Sequence, residues 1–208
     1  MSVLGALQIG RADPGPNTRI GRLFMVGSFC FAVASLPFMA DFDNRVAGLI
    51  YLIGSIFFTA AGAETFRTVE AGNRLDLIAS GVQLVGTIMF NLNTYAALDD
   101  NLDRHSQNLL IWLPDALGSV AFLIASAIAV VVVRRARGGP GASRETREIA
   151  WINLLGSVFF GFSALASVVL KTGEQLNLEA AAWLTLAGAI CFFWAAFLLV
   201  PRRGEHGG

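Results

Sequence analysis

The stretch that decides the fold is "LGSVFFGFSA", residues 155–164, which repeats the pattern of "IGSIFFTAAG" at residues 53–62. In both, a glycine followed by a serine stands four residues before a phenylalanine, and another small residue follows four positions later. Positions i, i+4 and i+8 lie along one ridge of an α-helix. The pattern therefore predicts a helix whose packing face carries a small, then a large, then a small side chain.

This pattern, the packing motif, occurs six times, with glycines spaced by 27, 32, 32, 38 and 32 residues, about one helix plus one loop. Membrane helices associate through close packing of small residues and buried hydrogen bonds, because lipid supplies no hydrophobic drive between them. A single copy would also arise from the ordinary enrichment of Gly and Ser in membrane helices, but six copies in register favour a helix-packing role. Its residues are Gly27, Ser28, Phe31, Gly54, Ser55, Phe58, Gly86, Thr87, Phe90, Gly118, Ser119, Phe122, Gly156, Ser157, Phe160, Gly188, Ala189 and Phe192.

The charge distribution predicts a membrane protein. The chain is 55% hydrophobic and 14% charged, whereas soluble domains average about 25% charged residues. Its uncharged runs approach the roughly 20 residues that cross about 30 Å of hydrocarbon as a helix. They cover 23–39, 46–63, 77–98, 116–133, 149–170 and 180–201. We therefore predict an all-α polytopic membrane protein with six transmembrane helices.

The loops predict the orientation. Twelve of the 15 Lys and Arg residues fall in the leader, the second and fourth loops and the tail, and Arg45, Arg104 and Lys171 fall in the other loops. The positive-inside rule then places both termini in the cytoplasm. The predicted organisation is a cytoplasmic leader (1–18), one transmembrane domain (19–200) with hairpins at about 19–66, 75–133 and 147–200, and a cytoplasmic tail (201–208).

The tandem Gly-Ser-x-x-Phe hairpins, above all 19–66 and 147–200, resemble the YrhK-like membrane domain of bacteria. That domain is a two-helix unit, which would occur here about three times. The third and sixth helices depart from the pattern, with Thr87 and Ala189 in place of the serine. The resemblance implies a multi-pass protein of a prokaryotic inner membrane, with no assigned activity and no catalytic residues to carry over.

Polar residues at membrane depth are costly and are the first place to look for function. Three positions before each motif glycine, the −3 position, stand Phe24, Tyr51, Gln83, Asp115, Asn153 and Thr185. Because alternate helices run in opposite directions, we expect Tyr51, Asp115 and Thr185 in the outer half, with Asn91, Asn93 and Thr94, and Gln83 and Asn153 in the inner half. The candidate polar site comprises Asp115, Asn91, Asn93, Gln83, Asn153 and Tyr51.

Asp115 leaves two placements open. If the fourth helix begins at Pro114, the carboxylate lies at a helix N-terminus in the outer interface, where negative charge is favoured. If Gly118 lies near the midplane, Asp115 is only about 4.5 Å away along the axis and is buried. Burial would allow a structural hydrogen bond to Asn91 or Asn93, or a role toward protons or a substrate. Trp112 and Trp183 suit an outer aromatic belt.

No cofactor, metal or catalytic residue is predicted. HExxH, Gly-x-Ser-x-Gly, Walker and GxGxxG motifs are missing from the sequence, and its histidines are His105 in an outer loop and His206 in the tail. A net charge of zero gives no reason to expect a nucleic-acid partner. We interpret the basic loop from Arg134 as a solvated linker or, alternatively, as a patch that binds anionic lipid at Arg134, Arg135 and Arg137.

The function expected from these observations is that of a non-catalytic accessory or scaffold protein in the lipid bilayer. It would associate with itself as a homo-oligomer or with a membrane-protein partner. The alternative is a small transporter or channel that uses a polar cluster around Asp115, and a weaker one is a lipid-modifying enzyme. A cavity that reaches Asp115 is required by the transport hypothesis.

Overall fold

The computed structural model describes residues 14–69, 73–135 and 143–201, and these form an all-helical bundle. Short connections join the helices, and a 3-10 turn, Pro37–Asp41, stands between the first two. The long helices in these ranges are α1 Pro14–Ala34, α2 Asn44–Thr68, α3 Arg74–Ala96, α4 Arg104–Arg135, α5 Arg144–Ala166 and α6 Leu178–Leu199.

Five of these helices, α2 to α6, are long and apolar enough to cross a membrane. This confirms the predicted all-α fold and indicates a multi-pass membrane protein. α1 has 21 residues but includes Arg19 and Arg22, and it falls outside that set. Six spanning helices, cytoplasmic termini and a repeated hairpin unit stay predictions.

Two helix boundaries differ from the sequence-based expectation. α1 begins at Pro14, inside the predicted leader, and ends at Ala34, before the end of the uncharged run 23–39. Leu36 is extended (φ −72°, ψ 142°) because the ring of Pro37 disfavours helical backbone in the preceding residue.

α4 begins at Arg104 rather than at Pro114. It passes through a π-helical segment, Gln107–Trp112, in which the Leu113 amide donates to the Asn108 carbonyl. Pro114 has no N–H to give to the preceding turn, so the wider turn absorbs the proline without ending the helix.

The helices form a closed ring in chain order. Each packs against its neighbours in sequence, and α6 packs against α1. A Cβ on Gly21, near the start of α1, would lie 2.8 Å from the Ala196 carbonyl oxygen, near the end of α6. The first and last described helices therefore start and finish at the same end of the ring.

The two ends of the ring carry opposite charge. The end where α1 begins, the basic end, holds Arg19, Arg22, Arg67, Arg74, Arg134, Arg135, Arg144 and Arg147, with Glu64, Asp76, Glu145 and Glu148. The acidic end, where α1 ends, holds Asp41, Asp43, Asp99, Asp100, Asp103, Glu174 and Glu179, with Arg45, Arg104 and Lys171. Arg11, Arg137, Arg202 and Arg203 lie outside the described residues.

Within each hairpin, the motif glycines bring two backbones together. A Cβ on Gly27 of α1 would lie 2.9 Å from the Gly54 carbonyl oxygen of α2, and Phe31 and Phe58 each pack over the glycine of the other helix. The same pairing joins Gly86 to Gly118 and Gly156 to Gly188. At Gly27, Gly54, Gly86 and Gly188 a Cβ would overlap a neighbouring atom of the other helix, so the close approach favours glycine there.

Candidate functional site

The motif phenylalanines form two layers of three at the centre of the ring. Paired glycines lie at one level, and a phenylalanine four residues later is one turn further along its helix. Since α1, α3 and α5 run toward the acidic end and the others toward the basic end, the six rings separate by helix direction. The acidic-end triad is Phe31, Phe90 and Phe160, and the basic-end triad is Phe58, Phe122 and Phe192.

Ring distances agree with this division. Centroids within the acidic-end triad are 5.8, 5.9 and 6.2 Å apart, and those within the basic-end triad are 5.5, 6.1 and 6.2 Å apart. Across the layers, the pair from each hairpin is 5.2 or 5.3 Å apart, mostly edge to face. Pairs of aromatic rings favour an edge-to-face arrangement over face-to-face stacking. The triads together close the centre of the ring.

A cavity of about 250 Å³ lies between the acidic-end triad and the acidic end. All six helices contribute to it, and Phe31 and Phe160 form its floor. The −3 residues of α2, α4 and α6 all line it, one from each hairpin: Tyr51, Asp115 and Thr185. Its other polar residues are Asn93, Thr94, Gln107, Trp112, Ser163, Ser167 and Gln175.

A second cavity, of about 140 Å³, lies on the other side of the triads. Its floor includes Phe122 and Phe192, and the −3 residues of α1, α3 and α5 line it: Phe24, Gln83 and Asn153. Thr65, Asp76, Ser80 and Ser126 add polar groups. The Asp76 carboxylate accepts a hydrogen bond from the Asn73 side chain and caps the start of α3 together with it.

Asp115 is half-buried at the wall of the acidic-end cavity. The Asn93 amide and the Ser167 hydroxyl lie beside it, and Tyr51 is within electrostatic range. None of the ion pairs in the described part of the chain involves Asp115. The alternative in which the fourth helix begins at Pro114 is wrong, since α4 begins at Arg104. The depth of Asp115 in a membrane stays a prediction.

The hydroxyls of Tyr51 and Thr185 present oxygen lone pairs to the cavity. Ser35 donates its proton to the Phe31 carbonyl oxygen (2.7 Å), so Tyr51, 2.7 Å from Ser35 Oγ, is the donor in that pair. Ser163 donates to the Ala181 carbonyl oxygen (2.8 Å), so Thr185, 2.7 Å from Ser163 Oγ, likewise donates. With their protons committed, both oxygens act as acceptors toward the cavity.

The structure divides the predicted polar site between three places. Tyr51, Asn93 and Asp115 line the acidic-end cavity, while Gln83 and Asn153 line the basic-end cavity. Asn91 lines neither of them. Its amide donates to Thr59 Oγ1 of α2 at 2.8 Å, which makes it a contact between two helices.

Sequence reasoning missed two features of this site. Trp112 lines the acidic-end cavity, and its indole N–H donates to the Ala164 carbonyl oxygen at 2.8 Å. Asn108 holds the loop after α5 through two bonds with Val169, of 2.9 and 3.0 Å. The sequence feature that could have indicated these contacts is Pro114. It distorts the helix and alters the direction in which preceding side chains point.

The remaining predictions concern the surface and possible cofactors. The Arg134 guanidinium stacks on the Trp151 ring at 4.8 Å, Arg135 is exposed, and Arg137 is outside the described residues. In the described ranges no group of three or more His, Cys, Asp or Glu residues is placed to hold a metal. Cys30 and Cys191 are free thiols on different helices.

The chain was compared with family models, curated proteins and solved structures. None of the three comparisons finds a match.

Proposed function

We propose that this protein conducts or transports a small solute or ion along the axis of its helical ring. The observation that carries the proposal is the arrangement of the two cavities. Each is bounded by all six helices and receives one −3 residue from each hairpin, and the phenylalanine triads stand between them. A cavity with polar side chains in its wall on each side of a closed hydrophobic constriction is an arrangement expected of a gated pathway.

The use of the packing motif favours this function over that of a scaffold. Its glycines and serines are buried between helices of the same chain, so they are not available for association with a second protein. The outward surface carries scattered apolar side chains, such as Phe29 (60% exposed) and Phe162 (56% exposed). Such a surface is suited to lipid and does not require a protein partner.

The orientation proposed for this pathway puts the basic end in the cytoplasm and the acidic end outside. Eight arginines of the described residues at the basic end support it. Arg134 and Arg135 would then face anionic headgroups of the inner leaflet. A YrhK-like hairpin repeated three times in a prokaryotic inner membrane is the origin we propose for the ring.

The test is solute flux into proteoliposomes that contain the purified protein. Phe122→Leu removes a ring from the basic-end triad but keeps the site apolar, so we expect faster permeation of small ions than with the wild type. Phe162→Leu is the matched control, because Phe162 lies on the outer surface of α5.

Thermal melting in detergent establishes that each variant is folded. If folded Phe122→Leu protein and the wild type are both as tight as empty liposomes to small cations, anions and neutral solutes, the proposed pathway is wrong.

A further inference from the structure

The acidic-end cavity contains one carboxyl group and no basic side chain among its lining residues. Burying an ionised carboxylate is costly unless a partner of opposite charge or several hydrogen bonds stabilise it. Asn93 and Ser167 supply neutral donors, but Ser167 Oγ is also 3.1 Å from the Ala164 carbonyl oxygen and has a single proton to donate. The site is therefore short of positive charge.

The other two −3 side chains that border the acidic-end cavity are acceptors. Tyr51 and Thr185 occupy the −3 position of the other two helices that run toward the basic end, and their hydroxyl protons are committed to Ser35 and Ser163. Three oxygen acceptors, one from each hairpin, thus border one cavity. A ligand with several N–H donors on a single atom matches this set.

The walls of the cavity are aromatic as well as polar. Phe31, Tyr51, Trp112 and Phe160 all line it. Aromatic faces attract cations, and the attraction is larger where water is excluded. An inorganic cation would keep its hydration shell beside aromatic walls. An organic ammonium ion instead places its alkyl group in contact with them.

Charges around the mouth have the same sign as Asp115. At the acidic end, seven carboxylates stand against three Lys or Arg residues in the described ranges. At Asp103, hydrogen bonds from the hydroxyl and the amide of Ser106 hold the pKa of the carboxyl below its ordinary value. A surface of this charge raises the local concentration of cations.

We infer that the acidic-end cavity binds a small primary alkylammonium ion, with Asp115 as its counter-ion. The ammonium N–H groups donate to Asp115, Tyr51 and Thr185, and the alkyl group lies toward Phe31 and Phe160. This inference rests on the proposed function and names the class of its solute. Because the inference concerns binding, a binding measurement tests it without a transport assay.

The experiment is isothermal titration calorimetry of propylammonium chloride into the purified full-length protein in detergent. We expect saturable binding that Asp115→Asn weakens by about tenfold or more, since it removes a charge-assisted interaction. Glu179→Gln is the matched control. It neutralises an exposed carboxylate at the start of α6 and leaves the affinity within about twofold.

Two further titrations test the ligand class and the acceptors. Tetramethylammonium has no N–H donor and should bind at least about tenfold more weakly than propylammonium. Thr185→Val replaces the acceptor hydroxyl with a methyl group of similar size. It should weaken propylammonium binding several-fold.

Undetectable binding to the folded wild type, equal affinity in Asp115→Asn, or stronger binding of Na⁺ than of propylammonium would each overturn the inference. The proposed pathway would survive these results if liposome flux of another solute still responded to Phe122→Leu.

Discussion

The interfaces within the three hairpins differ from those between them. Within a hairpin, two glycines bring the backbones into contact and each phenylalanine covers the glycine of the other helix. Hydroxyl pairs also lie within two of the hairpins, at Ser35–Tyr51 and Ser163–Thr185. Between hairpins, the hydroxyl pairs include the motif serines themselves. Ser55 of α2 lies 3.0 Å from Thr94 of α3, and Ser126 of α4 lies 2.8 Å from Ser157 of α5.

The difference shows how one motif serves both neighbours of a helix. The glycine contacts one neighbour, and the small residue that follows it, about 100° further around the helix, contacts the other. The junction of α6 with α1 departs from this rule. Ser28 is fully buried and has no hydrogen-bond partner. From the register of Ser126 and Ser157, we infer that the α6 residue opposite Ser28 is Ala196.

The largest expected effect is at a within-hairpin interface. In Gly188→Ala the new Cβ would overlap the Phe160 ring and lie 3.0 Å from the Gly156 carbonyl oxygen. The ring cannot retreat without disturbing both triads. We expect a loss of about 2–3 kcal/mol in the free energy of unfolding, typical of an overpacked core. The loss should appear as a lower melting temperature in detergent.

Gly161→Ala is the control for this variant. A Cβ at Gly161 meets no atom within 4 Å. Helix propensity then dominates, and we expect the melting temperature to stay unchanged or to rise slightly. Equal losses at Gly188 and Gly161 would show that the hairpin contact has no special role.

A smaller effect is expected at an interface between hairpins. Ser126 donates to Ser157, which donates in turn to the Asn153 carbonyl oxygen at 2.8 Å. In Ser157→Ala the buried Ser126 hydroxyl loses its acceptor. Hydrogen bonds between membrane helices contribute about 0.6 kcal/mol on average and up to about 1.7. A loss in this range is expected by steric trapping, and no loss would contradict the hydroxyl pairing.

Adding a hydroxyl partner for Ser28 should stabilise the interface between α6 and α1. Ala196→Ser gives Ser28 a hydroxyl neighbour across α6 and α1, and we expect a gain of about 0.6 kcal/mol. The double variant with Ser28→Ala provides the control, because the gain must disappear when the Ser28 hydroxyl is removed. A gain that persists in the double variant would point to some other cause.

The smallest effect is expected for Ser28→Ala alone. Ser28 and Ser157 are both fully buried motif serines, but Ser28 has no bond to lose. Removing a buried polar group without a partner is neutral or slightly stabilising. The same melting assay checks this, and a loss as large as that of Ser157→Ala would show that the comparison of the two junctions is mistaken.

Much of the fold could be predicted because the motif recurs in every helix. The all-α architecture followed from uncharged runs of near-membrane length, and the −3 register assigned Tyr51 and Asp115 to one half and Gln83 to the other. The contact of Asn91 with Thr59 was not predicted, since residues outside the motif have no register to follow. The contact of Trp112 with the cavity and with Ala164 was not predicted, because the π-helical segment shifts side-chain direction by an amount that residue spacing does not encode.

The sequence by itself determined the all-α architecture, the order of the long helices, and the small and large positions along each packing face. These features depend on local hydrophobicity and on the 3.6-residue period. Only the tertiary structure decided that α6 closes on α1, that the phenylalanines separate into two triads and that Asp115 borders a cavity. The physical reason is that these features depend on contacts between residues far apart in the chain, where closure, helix direction and packing act together.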